Sequence, residues 1–300
     1  MKWTVDEAGR LDHFLVRMLP QHSRSKITKH LAKHGAEIDG VKSTKAGTLV
    51  QPGSEVSTPA IEETAPHELT PVEMDLDISY EDDDLLVINK PRGLAVHPAP
   101  HSSEATLVHA LLGRNISLST GTESFRPGIV HRLDKQTTGL VVVAKNDFAH
   151  AQLAANIKER KTKRRYLAIV RGKPDHERFT VDAPLGKDPR SALKRAVVAD
   201  GKPALTQFMV LKRLDAGTLL AARLETGRTH QIRVHLSHFG LPVVGDELYA
   251  KPPFNEGPMQ LHAAYLEFVH PRSGEVVIVY AEGPPDFLGV GDFKSELENW

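Results

Sequence analysis

The chain has 300 residues, 38 Lys and Arg against 38 Asp and Glu, and no Cys. That length supports one large domain with a small companion. The missing thiols exclude disulfides, thiolate zinc sites and a cysteine nucleophile. The start, MKWTVDEAGRLDHF, lacks the apolar core of a secretion signal, and no apolar run approaches membrane-spanning length, so a cytoplasmic protein is expected.

Residues 1 to 58 read as a small α/β module. Leu11, Phe14, Leu15 and Met18 mark an amphipathic helix that ends near Pro20. Ser23 or Ser25 caps a second helix with Ile27 and Leu31 inward and Lys26, Lys29, Lys33 and His34 outward. Gly35 suits its stop, "EIDGVK" predicts an Asp-Gly hairpin, and "QPGSEV" predicts a further turn into a strand. A basic helix beside a hairpin on so small a unit suggests RNA binding, with Lys26, Lys29 and Lys33 as the contacts. Residues 57 to 71, STPAIEETAPHELTP, carry Pro and acidic residues without periodicity, and a linker is placed at 59–73.

From 74 to 300 a second domain is expected. Strands are predicted at Leu76–Tyr80, Leu85–Asn89, Leu140–Ala144, Arg165–Arg171, Thr206–Leu211, Thr218–Glu225, Leu261–Val269 and Val276–Tyr280. Helices are predicted at Ala105–Leu112, Asp147–Glu159 and Thr229–Phe239. Many strands, few helices and short connections indicate an α+β fold with a mixed, mainly antiparallel sheet.

The neutral total conceals uneven charge. Between Ala46 and Asn89 there is no Lys or Arg, while Lys158-Glu-Arg-Lys-Thr-Lys-Arg-Arg165 is strongly basic. Local basic faces, not the sum, govern a polyanionic partner. The motifs GxSxG, GxxxxGK[ST] and HExxH are absent. His230, His235 and His238 share a segment, but no acidic ligand is interleaved and nearby arginines repel a cation, so no metal is expected.

In GIVHRLDKQTTGL, Asp134 stands between Arg132 and Lys135. It is most simply a turn-stabilising ion pair. On a face that meets RNA, however, a carboxylate repels phosphates, and its presence suits chemistry better than binding. From LETGRTHQIRVHLSHFG, where Thr229 can cap a helix, either Arg228 or Arg233 can pair bidentately with it. Tyr166, in RRYLAIVRG, can stack on a base or sit at a core edge.

These segments resemble the RluA family of pseudouridine synthases, most closely its RluD-like branch. YEDDDLLVINKPRGLAVHP is similar to the first family motif and GIVHRLDKQTTGL to the catalytic one. RRYLAIVRG, LETGRTHQIRVHLSHFGLPVVGD and QLHAAYLEFVHP follow in the family's order. The resemblance implies a catalytic Asp134, supported by Tyr166 stacked on uracil and by Arg233 paired with the aspartate. It implies Leu261 against the target base, and Arg132 filling the stack that an extruded base vacates or holding the displaced partner. His131 joins this RNA-facing group or orders the loop. The N-terminal module resembles the S4 RNA-binding domain. Isomerisation of uridine needs no cofactor. Ribosomal RNA of the large subunit is favoured over tRNA as substrate, and the protein is expected to be monomeric. A non-catalytic RNA-binding assembly factor and a base-removing glycosidase are the alternatives. Residues 173 to 203 match the family least.

Overall fold

A computed structural model describes residues 1–22, 24–61, 69–98, 104–120, 126–215, 217–288 and 291–300. The chain divides into two compact units, Met1–Pro66 and His67–Trp300. Ser23 and most of the expected linker, residues 62–68, lie outside the described residues.

In the first unit the order is β1 (Lys2–Thr4), β2 (Gly9–Arg10), α1 (Leu11–Met18), α2 (Arg24–His34), β3 (Ala36–Ile38), β4 (Val41–Ser43), β5 (Leu49–Val50) and β6 (Glu55–Ser57). Strands β1, β6, β3 and β4 form an antiparallel sheet in that order, with β2 and β5 paired apart from it. Leu11, Phe14, Leu15, Ile27, Leu31 and Val56 close the core, joined by Ile61. Asp39 and Gly40 both take positive φ, 51° and 81°, as the two central residues of a tight β3–β4 hairpin turn require. Lys29 and Lys33 are exposed and Lys26 is half-buried. Ser25 lies inside α2 instead of capping it.

The second unit runs β7 (Ile78–Glu81), β8 (Leu85–Lys90), α3 (Leu107–Gly113), β9 (Thr138–Ala144), α4 (Asp147–Lys158), β10 (Lys163–Val170), β11 (Arg178–Asp182), β12 (Leu185–Asp188), β13 (Ser191–Val197), β14 (Leu205–Leu214), β15 (Gly217–Leu224), α5 (Gln231–His238), β16 (Leu261–Val269), β17 (Val276–Tyr280) and α6 (Lys294–Glu298). One sheet takes the order β11-β14-β15-β10-β16-β9-β8-β7, and β17 adds to β16. Its pairs are antiparallel except β16 with β9. This is the mixed, mainly antiparallel sheet of an α+β fold. Strands β11, β12 and β13 fall in the segment 173–203 for which no strand is predicted.

Both faces of the sheet are covered, which explains the unbroken apolar runs LLVIN, LVVVA and YLAIV. Leu86, Ile88, Val141, Val143, Tyr166 and Ala168 enter one core. Their neighbours Leu85, Val87, Leu140 and Val142 enter a second, and Leu167 and Ile169 a third. The parallel pairing rests on Gly139, whose φ is +107° and where a Cβ would lie 2.3 Å from Ala263 O. Parallel strands begin at the same end. The loop entering β9, with Asp134, and the first residue of β16, Leu261, therefore arrive at the same end of the sheet, between its interior strands.

Candidate active site

The loop carrying Asp134 is clamped from its protein side. Lys90, fully buried, donates through Nζ to Pro91 O at 2.9 Å, Leu94 O at 2.8 Å and Lys135 O at 3.3 Å. Burial lowers its pKa to about 7, against the opposing pull of the Asp134 charge. Arg92 reaches Gln136 O at 3.3 Å and also donates to Met259 O. His131 accepts from Val142 N–H at 3.0 Å through Nε2. Burial, with help from the Arg164 charge, brings its pKa to about 3, so the ring is neutral and orders the loop. Arg132 is exposed and within 2.9 Å of His97 Nε2.

The cation facing Asp134 is Arg233, on α5. The helix begins at Gln231 after His230, whose φ is 59°; Thr229 lies before the cap and does not form it. Gln231 sets this entry: its Oε1 accepts from Thr226 Oγ1 and Arg228 N, while Nε2 donates to Leu205 O and Thr206 Oγ1. Arg228 turns to Pro203 O at 3.0 Å and is not the partner of Asp134.

The expected bidentate pairing of Arg233 with Asp134 is corrected by the geometry. Nη1 donates to Asp134 Oδ2 at 3.0 Å, a single bond. The two-point grip goes to Asp246: Nε to Oδ2 at 2.7 Å and Nη2 to Oδ1 at 2.8 Å. Asp246 is fully buried and also accepts from Leu248 N and Tyr249 N. Burial alone would lower the Arg233 pKa, but the bonds and charges of Asp246, then Asp134, outweigh it and raise it. Sequence reasoning missed Asp246, although it ends the quoted GRTHQIRVHLSHFGLPVVGD segment as Gly245-Asp246. Tyr249 is also new. Its ring lies 5.1 Å from the Arg233 guanidinium, and its hydroxyl meets His230 Nδ1 at 2.9 Å and accepts from Arg195 N at 2.8 Å.

Tyr166 sits opposite Ala222 of β15, and the pairing with β16 shifts register between Arg165 and Leu167. Its side chain is buried, which raises its pKa above 10 and keeps the hydroxyl protonated at neutral pH. A cavity of about 430 Å³ is lined by His131, Arg132, Asp134, Tyr166, Arg233 and Leu261. All six expected residues of the second unit thus meet in one place, large enough for a small ligand. Lys158, Arg160, Arg164 and Arg228 make its remaining wall strongly basic.

His230, His235 and His238 go to separate places. His235 bonds Thr206 Oγ1 and Ala183 O, His230 bonds Tyr249, and His238 is exposed. Asp82, Asp84 and His270 have ligand-like spacing away from the cavity. Arg272 already holds Asp84 with two 2.6 Å bonds there. Among the described residues no helix is long and apolar enough to cross a membrane.

Residues 84–238 match the family described as RNA pseudouridylate synthase. A ribosomal large subunit pseudouridine synthase D of Nitrosomonas europaea is 41% identical over 292 residues, covering 94% of this chain and 83% of that protein. An RNA pseudouridine synthase of Bacillus subtilis is 42% identical, covering 93% and 92%. The solved structure of human RNA pseudouridylate synthase domain containing 1 is similar with a TM-score of 0.58 and 30% identity, covering 74% of this chain and 87% of that one.

Proposed function

This chain belongs to the RNA pseudouridylate synthase family and is an isomerase acting on RNA, and we propose that it modifies large-subunit ribosomal RNA with Asp134 as the catalytic carboxylate. The observation that carries the assignment of Asp134 is its placement in the cavity. Arg233 holds Oδ2, and among the described residues no protein group donates to Oδ1. One oxygen is oriented and the other is open to a substrate.

In the reaction the N1–C1′ bond of uridine breaks, the uracil turns, and C5 bonds to C1′. The C5 proton is lost and N1 gains one, so atoms and electrons balance without a cofactor. A glycosidase needs a second carboxylate to activate water; an isomerase does not, and among the described residues the other acid lining the cavity, Glu225, is paired with Arg223. Asp134 acts at the ribose as nucleophile or as base. Tyr166 stacks on the uracil, and its hydroxyl assists removal of the C5 proton as a relay, giving up its own proton as it takes the one from C5. Leu261 packs against the base. Because a stacked base cannot reach a recessed carboxylate, the nucleotide is extruded, at a cost of about a few kcal/mol. Arg132, exposed at the rim, fills the gap it leaves.

Residues 1–58 serve as an S4-like RNA-binding domain, followed by a linker at 59–73. Lys26, Lys29 and Lys33 on α2 hold phosphates, and residues 74–300 form the catalytic domain. The protein works in the cytoplasm as a monomer. The ribosomal target is supported by the names of relatives such as the Nitrosomonas europaea enzyme; tRNA is the second reading. The test is to incubate the protein with large-subunit ribosomal and tRNA transcripts and map pseudouridine by chemical tagging and primer extension. New stops in the ribosomal transcript are expected. Stops confined to tRNA would move the target, and free uracil would mark a glycosidase.

A further inference from the structure

Arg164 lines the cavity with Tyr166, two residues further along β10. Residues two apart on a strand share a face. Its guanidinium occupies space that Gly227 leaves by having no side chain: a Cβ there would lie 3.1 Å from Nη1 and 3.7 Å from Nη2. Gly227 has no positive φ, and a Cβ there would push the end of the Arg164 side chain aside by a few tenths of an ångström. Arg164 Nε is buried without a hydrogen-bond partner, and among the described residues no carboxylate pairs with the side chain. Two neighbouring arginines differ: Arg233 donates to two aspartates and Arg223 pairs with Glu225. Arg165 also has buried nitrogens without a partner, but it lies 4.5 Å from the Tyr265 ring and does not line the cavity.

An unpaired guanidinium held partly out of water costs free energy until an anion reaches it. The anion that enters this cavity is a phosphodiester. A nucleotide brought to Asp134 carries a phosphate on each side of its ribose, and the carboxylate adds a third negative charge. The charge of Arg233 is already matched by two carboxylates, Asp246 and Asp134, so it has none to spare for phosphates. Arg164 presents an unused planar fork of the kind that binds phosphate oxygens in pairs.

From this we infer that Arg164, seated in the notch left by Gly227, binds a phosphate adjoining the target uridine. It is thereby a substrate-binding residue of the active site. The inference rests on the proposed placement of the extruded nucleotide beside Asp134. Lys158, Arg160 and Arg228 remain for RNA farther from the reacting sugar.

The test uses the full chain and an oligonucleotide bearing a uridine mapped as above, in three forms. One is unmodified, one has an uncharged methylphosphonate 5′ to that uridine, and one has it 3′. Wild type, Arg164→Ala and Arg164→Lys are compared under single-turnover conditions, with circular dichroism to verify folding. On unmodified RNA, Arg164→Ala is expected to lose about tenfold to a hundredfold in kcat/KM, the size of a charge-assisted hydrogen bond. One methylphosphonate should slow the wild type by a similar factor and have no additional effect on Arg164→Ala. Which position behaves so identifies the phosphate. Equal sensitivity of both proteins at both positions overturns the inference, as does full activity of Arg164→Ala. If Arg164→Ala is unfolded, Arg164→Lys carries the same comparison and should show a reduced methylphosphonate effect; an undiminished effect overturns the inference. Absence of wild-type activity on unmodified RNA would count instead against the proposed function.

Discussion

Arg233 holds Asp246 by two hydrogen bonds, at 2.7 and 2.8 Å, and Asp134 by one at 3.0 Å. The buried aspartate is thus the anchor of the guanidinium, and Asp134 is the carboxylate that the anchored guanidinium aims. Removing Asp246 leaves a buried cation half-matched, and Asp246→Ala should destabilise the second unit by about 3–5 kcal/mol in denaturant titration. Asp246→Asn keeps the shape but frees Arg233 to turn toward Asp134. Single-turnover isomerisation should fall by about a hundredfold, the cost of a 1 Å misplacement, with RNA affinity little changed. Wild-type rates in Asp246→Asn would show that Asp246 only supports the fold.

Asp134→Asn has the opposite signature. Arg233 keeps its two hydrogen bonds to Asp246, so no cation is orphaned and the melting temperature should barely move. The amide can neither attack nor take a proton, and the rate should fall by at least about a hundredfold. RNA affinity should stay the same or rise slightly, because a charge that repels phosphate has gone. Substantial residual turnover removes Asp134 from the chemistry.

Arg132→Ala should respond to substrate structure. Its proposed task is to stabilise the extruded state, so a flexible single-stranded substrate, with no stack to disrupt, should partly restore its rate. Arg233→Lys should not be rescued. An ammonium cannot meet Asp246 at two points and Asp134 at a third. Equal rescue of both variants would refute this division of labour.

Gly139→Ala should separate the loop of Asp134 from Leu261. The added Cβ would strike Ala263 O, and φ of +107° is strained for alanine. A loss of roughly 2–4 kcal/mol is expected from overpacking and backbone strain together. Chemical denaturation measures it; unchanged stability would mean that β9 and β16 separate at little cost.

The first unit carries its own acid-sensitive contact. Asp12 is buried, and hydrogen bonds from Arg10, then Arg24, hold its pKa at about 2 against the opposing effect of burial. A carboxylate depressed by folding contributes stability in full above its unfolded pKa and loses it as pH falls towards 2. Both arginines are about half exposed, so solvent screening reduces the contribution to about 1–2 kcal/mol. Trp3 fluorescence in a Trp300→Phe background should report unfolding whose pH dependence between 5 and 2 is flattened in Asp12→Asn. Identical pH profiles would exclude Asp12 as the cause.

Much of this molecule was readable as sequence because its signals are local. The 3.6-residue spacing of Leu11, Phe14, Leu15 and Met18, the Asp39-Gly40 turn and the apolar runs of β8, β9 and β10 each act within a few residues. Asp134, Tyr166, Arg233 and Leu261 were legible in motifs, each lying within a short segment. What sequence did not reveal depends on pairings between distant residues. Strands β11 to β13 carry half-exposed, charged faces with weak alternation, and they form because β14 and each other supply partners. Helix α5 starts two residues after Thr229 because Gln231 finds Leu205 and Thr206 across the fold. Choosing which carboxylate receives the two-point grip of Arg233 was a tertiary matter. Asp134 is 99 residues away in the chain and Asp246 only 13, and nothing in either local sequence ranks them. The fold buries Asp246 completely beside Arg233 and leaves Asp134 lining the cavity, so one aspartate is desolvated with the guanidinium and the other stays open to the cavity.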